Sequence, residues 1–430
     1  MFKKILGTGA TRILNLLIGL ANMMLGAKIL GAAEWGIGYM VVVDVSFLLI
    51  GVELIAGSGL VYFTPRKKLS TLMLISYSWI LITVLCYALI FWLLSFFPNI
   101  FNSIMPDGYA KITLLMVLVY SFHGFNLNVF LGKGKVNLYN WVFSIQILTQ
   151  IMVMCLLLFV FHLTDAKAFI YSLLCGYSVA ALVGCCFMFP MKEKEGLDPI
   201  KSTMKEMFSY GIIIQLSAIV TILNKRLSLS LIRQHQGDSK VGVFSSGTQI
   251  TEGVKIIGNS LGLVQFSALS NMTDRKEALQ LTLRFVKIAV ILTFIALSVI
   301  LLLPTTFYEW ILSDEFAEIK QVMLYMSPGI IFLAAHTILT HYFSGTGQPK
   351  YNLYASITGF CFTIPSTLLL VKPFGIHGAA IAFSITFAAT FTYHWMIFHK
   401  QSSLRLTDLI PNKKDLDWAK SEMKKFFNAN

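Results

Sequence analysis

Apolar runs long enough to cross a lipid bilayer recur from one end of this 430-residue chain to the other. About 20 residues of helix span the hydrocarbon core, and inside lipid every backbone polar group must be satisfied within the folded segments themselves. Twelve segments are read, near residues 10–30, 37–62, 70–97, 110–131, 139–162, 167–190, 208–232, 241–269, 280–303, 320–344, 351–371 and 376–398. The fold class is therefore an all-α polytopic membrane protein of about twelve transmembrane helices. With 56% hydrophobic and 13% charged residues, no soluble half can be separated from it. The opening MFKKILGTGATRILNLLIGL begins like a signal peptide, but Arg12, Asn15 and Asn22 interrupt it and no convincing small-residue cleavage site follows, so an uncleaved first helix is expected.

The net charge of +13 does not point to nucleic acid, because the basic residues lie in short clusters between apolar segments. On one side fall Lys3 and Lys4, then Arg66, Lys67 and Lys68, Lys133 and Lys135, a group from Lys192 to Lys205, Arg275 and Lys276, and Lys350. The opposite loops hold mostly single residues such as Lys111, Lys167, Lys240 and Lys372. The positive-inside rule then places both termini in the cytoplasm.

The longest loop between segments, about Met191 to Met207, is charged and contains Gly196 and Pro199. It divides the chain into a six-helix bundle at 1–190, a cytoplasmic linker at 191–207, a second six-helix bundle at 208–399 and a cytoplasmic tail at 400–430. The tail could form a short basic amphipathic helix, although a solvated tail is the simpler reading. Two local matches indicate duplication. ILGAAEWGIGYM aligns with HQGDSKVGVFSS, so that Gly31 and Gly36 recur as Gly237 and Gly242, an offset of 206 residues. LGKGKVNLYN echoes SGTGQPKYN at nearly the same offset. Half-to-half symmetry of this kind is a common build of secondary transporters.

Charged residues inside or at the margins of the spans are costly and usually face a path or cavity. In the first segment Arg12, Asn15, Gly19, Asn22 and Gly26 recur at spacings of three and four, which puts them on one helical face. Ser245, Gln249, Glu252, Lys255 and Asn259 do the same in the eighth, where Glu252 and Lys255 are close enough to pair. The seventh offers Ser217, Thr221, Asn224, Lys225 and Ser228, with Arg226 about 100° around the helix. Small and polar residues at such spacing can also be plain helix contacts, and Arg12 and Lys28 lie where they could snorkel to the headgroups. The polar faces nonetheless nominate the first, second, seventh and eighth segments as a cavity wall.

Asp44 and Glu53, nine residues apart, face nearly opposite sides of the second segment and are not a paired-carboxylate site. Each is a candidate proton or sodium site, with Glu53, whose repeat partner is Asn259, preferred. The histidines lack metal-type spacing, the six cysteines read as packing residues, and no phosphate-binding loop is present. No metal, cofactor or catalytic residue is expected. Glu309, Asp314, Glu315 and Glu318, in the longest outer segment, read as a solvated amphipathic turn.

The turn ILGAAEWGIGYM and the region SGTGQPKYN followed by PFGIHGAAIAFSI resemble the polysaccharide biosynthesis flippases of the multidrug/oligosaccharidyl-lipid/polysaccharide (MOP) exporter superfamily. The resemblance implies a MATE-like pair of six-helix bundles in a bacterial inner membrane, opening a central cavity alternately to each side. It also implies transport of an undecaprenyl-diphosphate-linked O-antigen or capsule repeat unit, with Arg12, Lys28, Lys225, Arg226 and Lys255 as candidates to hold the diphosphate. Asn15, Asn22, Glu252 and Asn259 complete the candidate cavity. Implied partners are the lipid-linked glycan, the bilayer, a polysaccharide polymerase complex, and H+ or Na+ as coupling ion. The rivals are an ion-coupled multidrug exporter of the same superfamily and, from another class, a membrane-embedded glycan polymerase or ligase.

Overall fold

The computed structural model describes residues 2–99, 101, 105–192, 196–269, 274–346, 348 and 350–402. The tail 403–430 lies outside them, as does the side chain of Arg12. No strand occurs among the described residues, and eight helical stretches are long and apolar enough to cross a membrane. Two of the eight carry two predicted segments each. Helix Phe2–Ala56 bends at Gly31 (φ 80°, ψ 171°) and helix Lys350–Ser402 at Gly375 (φ 56°, ψ −131°). A Cβ disfavours both conformations, so glycine is what lets the chain turn there without a loop. The seventh and eighth segments are helix Ile200–Gln236 and the helices Asp238–Gly253 and Lys255–Leu269, which completes the twelve.

Two boundaries differ from the sequence reading. The seventh helix begins at Ile200, not 208, because its first turns are amphipathic: Thr203 and Met207 are buried while Lys201, Lys205 and Glu206 stay exposed. The eighth segment breaks at Val254, where Val254 and Ile257 donate to Thr251 and Val254 carbonyls three residues back, so the turn tightens out of α geometry.

The chain divides into two compact units, Met1–Ser246 with Thr305–Ile319, and Gly247–Pro304 with Lys320–Asn430. In the first, Ile55, Leu60, Phe63, Leu72, Phe125 and Phe130 form part of a buried cluster, while Leu81, Leu85, Leu89 and Trp92 of helix Leu69–Leu94 point outward as a lipid-facing side would. Helix Ala166–Met188 is started by two carboxylates. Asp165 accepts from Lys167 N at 3.1 Å and Glu34 from Ala166 N at 2.7 Å, satisfying donors that the helix leaves open. Asp198 accepts from Lys68 N at 2.6 Å and its own N–H donates to Thr71 Oγ1 at 2.8 Å, fastening the stretch before Ile200 to the loop before Leu69.

The second unit packs Phe285, Ile338, Tyr342, Phe343, Trp395 and Phe398 into its core. Pro328 lies inside helix Ile319–Gly345. One residue on, Gly329 N donates to Ser384 Oγ at 3.1 Å, and that hydroxyl donates to Tyr325 O at 2.7 Å. A neighbouring serine is thus inserted into the helix ladder beside the proline, keeping both backbone groups satisfied in an apolar setting.

Candidate functional site

Within the first unit, residues 32–56 run antiparallel to helix Ile200–Gln236, and glycines let the backbones touch at both ends. A Cβ on Gly211 would overlap the carbonyl of Leu54, and one on Gly36 would overlap that of Asp238. Between these contacts lie the charged residues. Arg226 Nη1 pairs with Asp44 Oδ1, and its guanidinium sits 5.0 Å from the centre of the Phe47 ring. Lys225 Nζ sits 5.1 Å from the ring of Tyr39, an arrangement in which the ring face attracts the cation. Lys225 and Arg226 diverge around their own helix, yet both reach the same neighbouring helix at different heights.

Asp44 and Glu53 behave likewise. Glu53 Oε2 accepts from Gln215 Nε2 at 3.0 Å, on the helix that also supplies Arg226. The helical wheel separates the Cα–Cβ directions of the two acids, but the combined length of a glutamate and a glutamine spans the difference. Glu53 also lines a cavity of about 190 Å³ with Tyr120, His123, Asn128, Phe143 and Tyr177. Nearby, Trp79 Nε1 donates to Gly51 O at 3.0 Å and Tyr87 Oη to Leu48 O at 2.8 Å, so polar groups of a second helix reach the backbone beside Glu53.

The other candidates are dispersed. Asn15 exchanges hydrogen bonds with Ser144, at 3.1 and 3.3 Å, as a buried helix contact. Asn22 is buried, and its Oδ1 has no hydrogen-bond partner among the described residues. Lys28 Nζ donates to Trp310 O at 2.7 Å and lies 5.5 Å from that indole. In the second unit Lys255 pairs with Glu252 at 2.8 Å, each side chain about one-third exposed (31% and 29%), and Asn259 is exposed.

The acids of the longest outer segment are not simply a solvated turn: Glu315 Oε2 accepts from Ala32 N at 2.5 Å, directly after the Gly31 bend, and Glu318 pairs with Lys240 at 2.5 Å. The bend leaves a backbone donor open, and a carboxylate fills it. Gln215, Tyr39 and Phe47 also escaped the sequence reading, since a neutral amide and two aromatic residues in apolar segments carry no signal of their own.

Two solved structures share this architecture. A multidrug resistance MATE family transporter of the MOP superfamily, inward-facing, matches with TM-score 0.69 at 15% identity, over 90% of this chain and 96% of that one. Lipid II flippase MurJ, in an inward closed conformation, gives 0.68 at 17% identity over 93% and 90%. The class is thus a multi-pass helical membrane protein of the MOP fold, with the MATE-like pair of six-helix bundles that the internal repeat foretells. Residues 25–321 match the family described as polysaccharide biosynthesis protein, and the chain belongs to that family. It is 23% identical over 239 residues, 54% of its length, to the Haloferax volcanii protein described as "Probable low-salt glycan biosynthesis flippase Agl15". It is 21% identical over 292 residues, 64% of its length, to an uncharacterized membrane protein of Methanocaldococcus jannaschii, MJ1068. The matched stretches span about half of those two relatives, 48% and 57%.

Proposed function

We propose that this protein is a flippase that carries an undecaprenyl-diphosphate-linked oligosaccharide repeat unit from the cytoplasmic to the periplasmic leaflet of a bacterial inner membrane, for O-antigen or capsule assembly. The observation that carries the reading is the placement of two cations, Lys225 and Arg226, on a membrane-length helix against Tyr39, Asp44 and Phe47. A diphosphate needs cationic, hydrogen-bonding surroundings on its way through, while the prenyl chain can stay in lipid. Arg12, Lys28 and Lys255 are assigned to the path on their places in the sequence. The two six-helix bundles rock about the linker that ends before Ile200 to open the path alternately, with both termini cytoplasmic. No covalent chemistry is needed, and a polymerase complex would receive the product. Glu53 is the preferred coupling site for H+ or Na+, with Asp44 the other candidate.

A second reading has one observation in its favour: the cavity beside Glu53, lined by Tyr120, Tyr177 and Phe143, suits the acidic and aromatic character of an ion-coupled exporter of cationic drugs. Deleting the gene and weighing the membrane's lipid-linked glycans decides between the two. Accumulated repeat unit with lost surface glycan, both reversed by the restored gene, supports the flippase. An unchanged lipid pool with heightened sensitivity to cationic drugs replaces it with the exporter.

A further inference from the structure

The pairing of Asp44 with Arg226 is lopsided in two ways. The arginine side chain is 15% exposed and the aspartate 1%, so the guanidinium is the more accessible partner of the pair. Only one carboxylate oxygen is used: Asp44 Oδ2 is buried with no hydrogen-bond partner among the described residues. A buried pair kept for architecture needs its remaining lone pairs satisfied to offset desolvation. Here no described residue meets that requirement at Oδ2.

We propose that Asp44 holds Arg226 as an internal stand-in for the diphosphate of the cargo, and that binding exchanges one anion for the other. The inference rests on the flippase reading above and deepens it. A diphosphate carries more charge and more acceptor oxygens than one carboxylate, so it can satisfy the planar fork of Arg226 more fully than Asp44 does. Phe47 lies on the same helix as Asp44 and keeps a ring face beside the guanidinium during the exchange. Capture of cargo then leaves Asp44 buried without its cation. That penalty lowers net affinity and favours release once the diphosphate has crossed. Asp44 is accordingly a positioning residue that limits how tightly the cargo is held.

The test is binding of inorganic pyrophosphate and of undecaprenyl diphosphate to the purified full-length protein in lipid nanodiscs, for wild type, Asp44→Asn, Arg226→Gln and the double variant. Asp44→Asn is expected to bind both probes about tenfold more tightly, within the usual range of coupling between linked sites. That gain should vanish in the Arg226→Gln background. Equal or weaker binding by a monodisperse Asp44→Asn protein overturns the exchange, as does a gain that survives without Arg226. If the variant does not fold, infrared difference spectra of wild type labelled at its aspartates serve instead: a carboxylate band that shifts when pyrophosphate is added supports the exchange, and a silent spectrum overturns it. Wild type that binds neither probe overturns the flippase reading itself, which the exchange cannot outlive.

Discussion

Gly36 and Gly242 occupy corresponding places in the internal repeat, and each abuts the backbone of the other's turn. A Cβ on Gly36 would overlap the carbonyl oxygen of Asp238, and one on Gly242 would overlap that of Ala32. Ala32 and Asp238 are themselves repeat partners, each following a bend glycine in nearly the same conformation, Gly31 at φ 80°, ψ 171° and Gly237 at φ 83°, ψ 178°. The duplication therefore survives as a reciprocal contact in the folded chain.

Gly36→Ala and Gly242→Ala should force these turns apart. Overpacking of this kind costs about 1–3 kcal/mol, and backbone atoms on both sides leave little room to yield. The expected result is a lowered thermal midpoint, together with faster thiol labelling of a cysteine placed at Ala32. Gly19→Ala is the control. Nothing lies within 4 Å of a Cβ there, and its midpoint should hold or rise slightly, since Ala in a helix is favoured over Gly by about 0.5–1 kcal/mol.

Lys225→Ala removes the cation beside Tyr39 and should depress glycan export about tenfold, in the range of a lost charge-assisted contact, with the protein still inserted. Lys255→Ala should also reduce export, and it strips Glu252 of its partner, so its insertion and thermal midpoint need measuring beside surface glycan. Normal export in both variants would remove the cationic path from consideration.

Lys67 meets Glu206 at 3.0 Å with both side chains partly in solvent. Such pairs contribute about 0–1 kcal/mol. Lys67→Ala should leave surface glycan at wild-type level and shift the midpoint by little, and a large loss of export would assign that loop a role the pair does not explain.

If Glu53 takes up the coupling ion, Glu53→Gln should abolish the response of transport to an imposed proton or sodium gradient while Gln215→Ala only weakens it. Transport into inverted vesicles, with and without a protonophore or sodium ionophore, reads this directly. An unaltered gradient response in Glu53→Gln moves the coupling elsewhere.

Much of the fold was legible because membrane physics writes it in long apolar runs: Gly31 and Gly237 fall between predicted segments, and Glu252 and Lys255 announced their pairing by a spacing of three. What stayed hidden depends on neighbours distant in sequence. Nothing local to Asp44 names Arg226, and nothing about Glu315 indicates that its carboxylate will fill the open donor at Ala32. Asn15 looked like part of a polar path, yet its amide is spent on Ser144 because a neutral side chain serves a helix contact as readily as a cavity. Periodicity gives the face of a helix; the occupant opposite comes from tertiary packing.

Residues 32–56 meet helix Ile200–Gln236 backbone to backbone at Gly211 and, through Gly36, the turn at Asp238 that follows it, with the Asp44–Arg226 and Glu53–Gln215 pairs between. Axial slip of helix Ile200–Gln236 by a single residue would disturb the Gly211 contact and both side-chain pairs at once, while a small rotation strains them unequally. The two helices are accordingly denied a piston stroke and left with a twist.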